Sequence, residues 1–233
     1  ISGHEPFRGF GQRQSLSVAT TGDDIWEGTA TTIPIPPDAG DLMSLVSDSI
    51  QDGVAGTGVR SIDVHYIDPT GNPQSTLVTM NGTTAVNTGI LMRFVQSIHT
   101  ETVGSNGTAV GTVSIYKTGD TATVYNVIKP GGNVSLSSAR MVPLGKTFYI
   151  KDTFLSGSAN KSISVRLRIT STFEDVLNSR VFQYKEISFL QDATKSSNKS
   201  IVMKAPALSI IKYTAYSTQA GGDISTSYEG WYE

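Results

Sequence analysis

Thr112-Val113-Ser114-Ile115-Tyr116-Lys117, then Thr118-Gly119-Asp120, then Thr121-Ala122-Thr123-Val124-Tyr125-Asn126-Val127-Ile128 reads as two strands joined by a tight turn. β-branched and aromatic residues fill both arms, and a Gly-Asp pair sits where the chain must reverse. The same rhythm runs outward in both directions. Upstream, Val59–Ile67 alternates, with Ile62, Val64 and Tyr66 on one face and Ser61, Asp63 and His65 on the other. Asp68-Pro69-Thr70-Gly71-Asn72-Pro73 is a turn, Gln74–Met80 is the return strand, and Leu42–Ser47 and Leu91–Thr102 flank them. Downstream, strands are expected at Val134–Ala139, Lys146–Leu155, Ser162–Ser171, Val181–Leu190, Ile201–Met203, Leu208–Thr218 and Asp223–Tyr232. Only Thr172–Arg180 reads as a single helical turn. About a dozen short strands with frequent turn signals is the rhythm of a sandwich or jelly roll. The expected fold is all-β, a β-sandwich or jelly-roll-like body.

The beginning of the chain has a different texture. Residues 1–40 mix Gly, Gln, Arg and Asp with scattered aromatics and end in Ile33-Pro34-Ile35-Pro36-Pro37. Three prolines in four positions forbid both helix and central strand. The expected organisation is therefore an extended N-terminal arm over 1–40 and a β-sandwich body over 41–233. An extended arm lies on its own body or on a neighbour, and Phe7, Arg8, Phe10 and Trp26 are its candidate anchors. Trp231 and Tyr232, at the other end, are further interface candidates. Removing residues 1–30 is expected to abolish assembly while leaving the body folded.

Composition removes several function classes. Charged residues are 16% of the 233-residue chain, below the usual quarter, and Ser and Thr together outnumber them. Net charge is −2, and the densest basic pair, Arg166 and Arg168, reads as a solvated strand face. Neither feature is a nucleic-acid footprint, so no nucleic-acid partner is expected. The absence of cysteine excludes disulfide scaffolds, thiolate metal sites and cysteine nucleophiles. No apolar run approaches the ~18 residues of a helical membrane span, and no membrane partner is expected.

Catalytic signatures are thin. Asp63 and His65 share a strand face at i,i+2 spacing, but no Gly-x-Ser-x-Gly elbow accompanies them. Asp63 and Glu101 are the candidate carboxylates for glycoside chemistry, which needs a facing pair in a cleft. His4, His65 and His99 lack metal-ligand spacing, and the Gly-rich stretches 53–58 and 104–111 lack the Gly-Lys-Ser/Thr ending of a phosphate loop. The expectation is a non-enzymatic protein with no cofactor and no metal.

Several phrases carry a resemblance. They are Ile25-Trp26-Glu27-Gly28, Val46-Ser47-Asp48-Ser49, Asp52-Gly53-Val54-Ala55-Gly56-Thr57-Gly58-Val59-Arg60, Thr79-Met80-Asn81-Gly82-Thr83-Thr84-Ala85-Val86, Gly107-Thr108-Ala109-Val110-Gly111-Thr112-Val113 and Val142-Pro143-Leu144-Gly145-Lys146-Thr147. Together they resemble a class of virion structural proteins of tailed bacteriophages, especially aquatic ones. That resemblance implies a place in the phage particle. The arm, the low charge and the rigid β body point, within the particle, to a capsid decoration or cement protein. Such a protein sits on the outer capsid surface, commonly as a homotrimer, with the major capsid protein and copies of itself as partners. A tail, neck or fibre component is the alternative.

Overall fold

In the computed structural model residues 4–178, 180–191 and 194–233 are described, with only the backbone considered over 194–201. Sixteen strands follow one another without a helix among the described residues. They are β1 (Glu5–Leu16), β2 (Asp23–Asp24), β3 (Asp41–Ser47), β4 (Val59–Ile67), β5 (Pro73–Thr79), β6 (Val86–Met92), β7 (Phe94–Val103) and β8 (Val113–Lys117). The rest are β9 (Asp120–Ile128), β10 (Arg140–Met141), β11 (Phe148–Gly157), β12 (Ser162–Ile169), β13 (Gln183–Gln191), β14 (Thr194–Ala205), β15 (Ile210–Ser217) and β16 (Gly222–Tyr232). The all-β expectation holds. Thr172–Arg180 is a loop instead of a helical turn: the Thr172 N–H donates to Val176 O, against helix polarity, and Ser171 bridges Leu177. Val134–Ala139 contributes three isolated bridges, Val134 with His99 and Ser137 with both Phe10 and Trp26, and no strand.

The chain divides into two compact units instead of an arm and a single body: residues 1–26 with 137–233, and residues 27–136. In the first unit one sheet runs β1-β16-β11-β14 and the other β10-β15-β12-β13, with β2 beside β15. Counting its eight long-path strands in chain order, these are first-eighth-third-sixth and second-seventh-fourth-fifth. That interleaving is a jelly roll, two sheets wound together by Greek-key connections. The second unit enters the sequence between the first and second of those strands.

Alternation explains the jelly-roll core. Ile163, Val165, Leu167 and Ile169 of β12 and Ile211, Tyr213 and Ala215 of β15 meet Phe148, Ile150, Leu155, Ile224, Tyr228 and Tyr232 of the opposite sheet. Each fully buried branched or aromatic side chain contributes about 1.5–3 kcal/mol.

Much of the segment expected as an extended arm is β1, paired with β16 from Glu5↔Tyr232 to Leu16↔Gly222. Two glycines allow the fit. A Cβ on Gly9 would lie 2.2 Å from Tyr228 Cζ, and one on Gly11 would lie 2.5 Å from the Ser138 amide nitrogen. Leu16, Ile25 and Trp26 are fully buried. Removing residues 1–30 would thus delete a sheet strand and part of the core, so the body is not expected to survive it.

The second unit packs β6-β3-β8-β9 against β5-β4-β7 around Met43, Leu45, Ile62, Val64, Ile98 and Ile115. The β8–β9 hairpin turns through Thr118 and Gly119, with Lys117 opposite Asp120 and Gly119 at φ 85°.

Candidate functional site

The aromatic residues singled out by sequence separate into an inner and an outer set. Phe7 points inward and meets Phe148 edge-on at 5.7 Å, with Tyr232 at 5.8 Å. The Arg140 guanidinium lies 3.8 Å above the Phe7 ring, and its Nε donates to Tyr232 Oη at 2.9 Å. Burial pushes the Tyr232 phenol up, against the opposing pull of Arg140. Trp26 is 1% exposed and Tyr232 4%. Trp26 and Tyr232 therefore pack inside the jelly roll, out of a partner's reach, and Phe7 packs half-buried against the same core.

Arg8, Phe10 and Trp231 lie on the outer face. Arg8 Nε is 3.4 Å from Glu229, and Phe10 is 43% exposed. Trp231 is stacked between His4 and Tyr149, at 5.3 and 5.4 Å with both interplanar angles 9°, so neither indole face is open.

The polar candidates also come into place. Antiparallel register sets Asp63 opposite His99 and His65 opposite Ser97. His65 Nε2 is 3.0 Å from Asp63, His99 Nε2 is 2.8 Å from Ser97 Oγ, and the imidazoles touch edge-on at 5.1 Å. This is a Ser-His-His-Asp row on an open strand face, and Glu101 stands exposed further along β7. Among the described residues no three His, Asp or Glu side chains converge as metal ligands. Arg166 and Arg168, expected on a solvated face, instead hold the segment before β2. They donate to Thr20 O at 2.6 Å and Thr21 O at 2.7 Å while lying over the rings of Tyr184 and Tyr216.

The glycine-rich phrases of the second unit converge on one carboxylate. Asp52, fully buried, accepts from Ser47 Oγ at 2.6 Å and from the amides of Val59, Val110 and Gly111 at 2.9, 3.0 and 2.8 Å. Its own carbonyl accepts from the Gly82 amide. Burial alone would push the carboxyl up. The four donors outweigh it and hold its pKa below the ordinary aspartate value. Gly58 is required there, since a Cβ would sit 2.0 Å from Asp52 Oδ1. Stretches that look like repeated loop phrases in sequence are the parts of one knot, and its role is to fix loops.

What sequence reasoning missed is a free sheet edge. Of the eighteen large apolar side chains that stay exposed among the described residues, seven fall within residues 173–189: Phe173, Val176, Leu177, Val181, Tyr184, Ile187 and Phe189. β13 is the terminal strand of its sheet, and Ile187 (49% exposed) and Phe189 (74%) lie on its outward face. The legible signal was alternation that fails: in Glu186-Ile187-Ser188-Phe189-Leu190 the solvent-facing positions are as apolar as the core-facing Leu190. Beside this edge, Phe173, Asp175, Lys185, Val202, Met203 and Lys204 line a cavity of about 380 Å³. Lys185 Nζ donates to Thr172 O and lies 4.5 Å over the Phe173 ring. Desolvation lowers its pKa, partly offset by Asp175 and Glu174.

No protein-family model matches the chain, and no curated protein is detectably similar to it. An apolar, hydrogen-bond-competent edge is equipped to hold protein surface.

Proposed function

We propose that this chain is a structural subunit of a tailed-bacteriophage particle, acting as a capsid decoration or cement protein that binds the outer shell and copies of itself. The observation that carries the reading is the apolar concentration over residues 173–189. Exposed apolar side chains gathered in one stretch of chain, with Ile187 and Phe189 side by side on an edge strand, suit a protein-binding surface. The sequence phrases resembling phage virion proteins supply the setting. The jelly roll is compatible with it, as an architecture used by viral capsid domains and also by lectins, and fold analogy goes no further than that. Many copies on a repetitive shell act through avidity, so each single contact can be weak.

The test is a copy count in purified virions by quantitative mass spectrometry, normalised to the major capsid protein. A ratio near one or one-half supports a decoration protein spread over the shell. A few to a few dozen copies moves the chain to the tail, neck or fibre. Absence from virions overturns both placements.

A further inference from the structure

We infer that β13 is a self-pairing edge, through which two copies of this chain join by antiparallel strand pairing with Ile187 of one copy opposite Phe189 of the other. The inference rests on the edge itself and holds whether or not the chain belongs to a virion.

Three observations lead to it. First, β13 is hydrogen-bonded to β12 on one side and ends its sheet, so among the described residues no strand pairs with its other side. Second, the usual guards of an edge are missing from its last half. There is no proline in Gln183–Gln191, and the one bulge of β13 against β12 falls at Lys185, between Arg168↔Tyr184 and Leu167↔Glu186, ahead of Ile187–Gln191. The outward positions from Ile187 onward are Ile187, Phe189 and Gln191, none of them charged. Lys185, the cation that would serve as a guard, is bound to Thr172 O and lies over Phe173.

Third, the strand is complementary to itself. A two-fold pairing that continues both sheets must set outward residues opposite outward residues, so its axis passes through a residue. Centred on Ser188, it sets Ile187 opposite Phe189 twice, a β-branched residue against an aromatic, the kind of cross-strand pair that stabilises sheets. It sets Ser188 opposite itself and ends where Gln191 reaches the bulge at Lys185. Its one mismatched pair, Glu186 with Leu190, lies toward the ends. Centring on Glu186 would set two carboxylates together. Centring on Ile187 would run the pairing into Gln183, toward the loop that holds Lys185 and Phe173. Of these registers the Ser188 one alone doubles the apolar pair.

The absence of cysteine gives a clean test. In this register Ile187→Cys with Phe189→Cys places two thiol pairs directly opposite one another across the two-fold axis, within disulfide reach. Ile187→Cys alone leaves the two thiols diagonal, about 7–8 Å apart, too far to bridge. Mild oxidation of the full-length chain should convert the double variant into covalent dimer on a non-reducing gel and leave the single variant monomeric. Light scattering of the unmodified chain should give twice the monomer mass, halved by Phe189→Lys. Because Phe189 is 74% exposed, that change leaves the fold intact, which circular dichroism checks. A monomeric or trimeric mass for the unmodified chain overturns the proposal. So does equal cross-linking of the single and double variants, or formation of open-ended aggregates.

Discussion

Asp52 and Phe189 represent opposite solutions to the same requirement. Around Asp52 the backbone of several loops turns inward, and every oxygen of the carboxylate finds donors inside the molecule. Along β13 a sheet edge and an apolar face are left open to solvent, Phe189 most of all. A protein spends stability where polar groups are satisfied and keeps function where they are not. The comparison predicts that substitutions at the knot unfold and substitutions at the edge dissociate.

The largest effect is expected from Asp52→Ala. It orphans the Ser47 hydroxyl, the buried amides of Val59 and Gly111 and the half-buried amide of Val110 at once, and each unsatisfied buried donor costs about 1–3 kcal/mol before relaxation and water entry. A net loss of about 4 kcal/mol is expected, at the severe end for a point change. Hydrogen exchange should show it as lost protection within residues 27–136. Acid supplies a second reading. Because the folded pKa lies below the unfolded value of about 3.9, the stabilisation is complete above that pH and fades as pH falls through the folded pKa. The wild-type chain should show this acid limb in urea titrations and the Asp52→Ala chain should lack its share. Equal acid slopes would remove Asp52 from the centre of the knot.

The same comparison shows what could be read from sequence. Period-two alternation with turn residues identified most of the strands, because a half-buried strand writes its burial directly into the residue order. β1 escaped because Gly9 and Gly11, poor strand residues, are dictated by the Tyr228 ring and the Ser138 backbone, which belong to distant parts of the chain. A contact made at long range leaves no local pattern. The choice for Phe7 and Trp26 between own body and neighbour stayed open for the same reason: an aromatic that anchors a partner and one that packs on its own core look alike until the strand pairing is known. The jelly-roll order was likewise hidden, since the second unit separates its first two strands by more than a hundred residues. The edge at β13 was written in the sequence as alternation that fails, but a fully buried central strand writes the same thing.

A middle-sized effect is expected where the glycines of β1 meet the aromatic cluster. Gly9→Ala drives a methyl into Tyr228, whose ring is held by Phe7, Phe148 and Tyr213 and has no room to swing away. Overpacking of this kind costs about 2 kcal/mol. Both tryptophans, Trp26 and Trp231, belong to the jelly roll, so tryptophan fluorescence in urea reports this unit directly. A lower midpoint with an unchanged slope is expected. An unchanged midpoint would mean that β1 separates easily from its sheet and adds little to the stability of the jelly roll.

The smallest effect on stability, and the one that most sharpens the contrast, is expected at the edge. Phe189→Ser removes a large ring that touches little of its own chain, and surface changes of this type stay within about 0.5 kcal/mol. The fluorescence midpoint of the dilute protein should hardly move. At high concentration it should separate from wild type, because a partner that binds only the folded chain raises stability by mass action, and the variant loses that gain. The two curves should therefore coincide when dilute and diverge as concentration rises. If Phe189→Ser destabilises equally at every concentration, Phe189 packs against its own chain, and the openness of the edge, with the distinction drawn between it and Asp52, is lost.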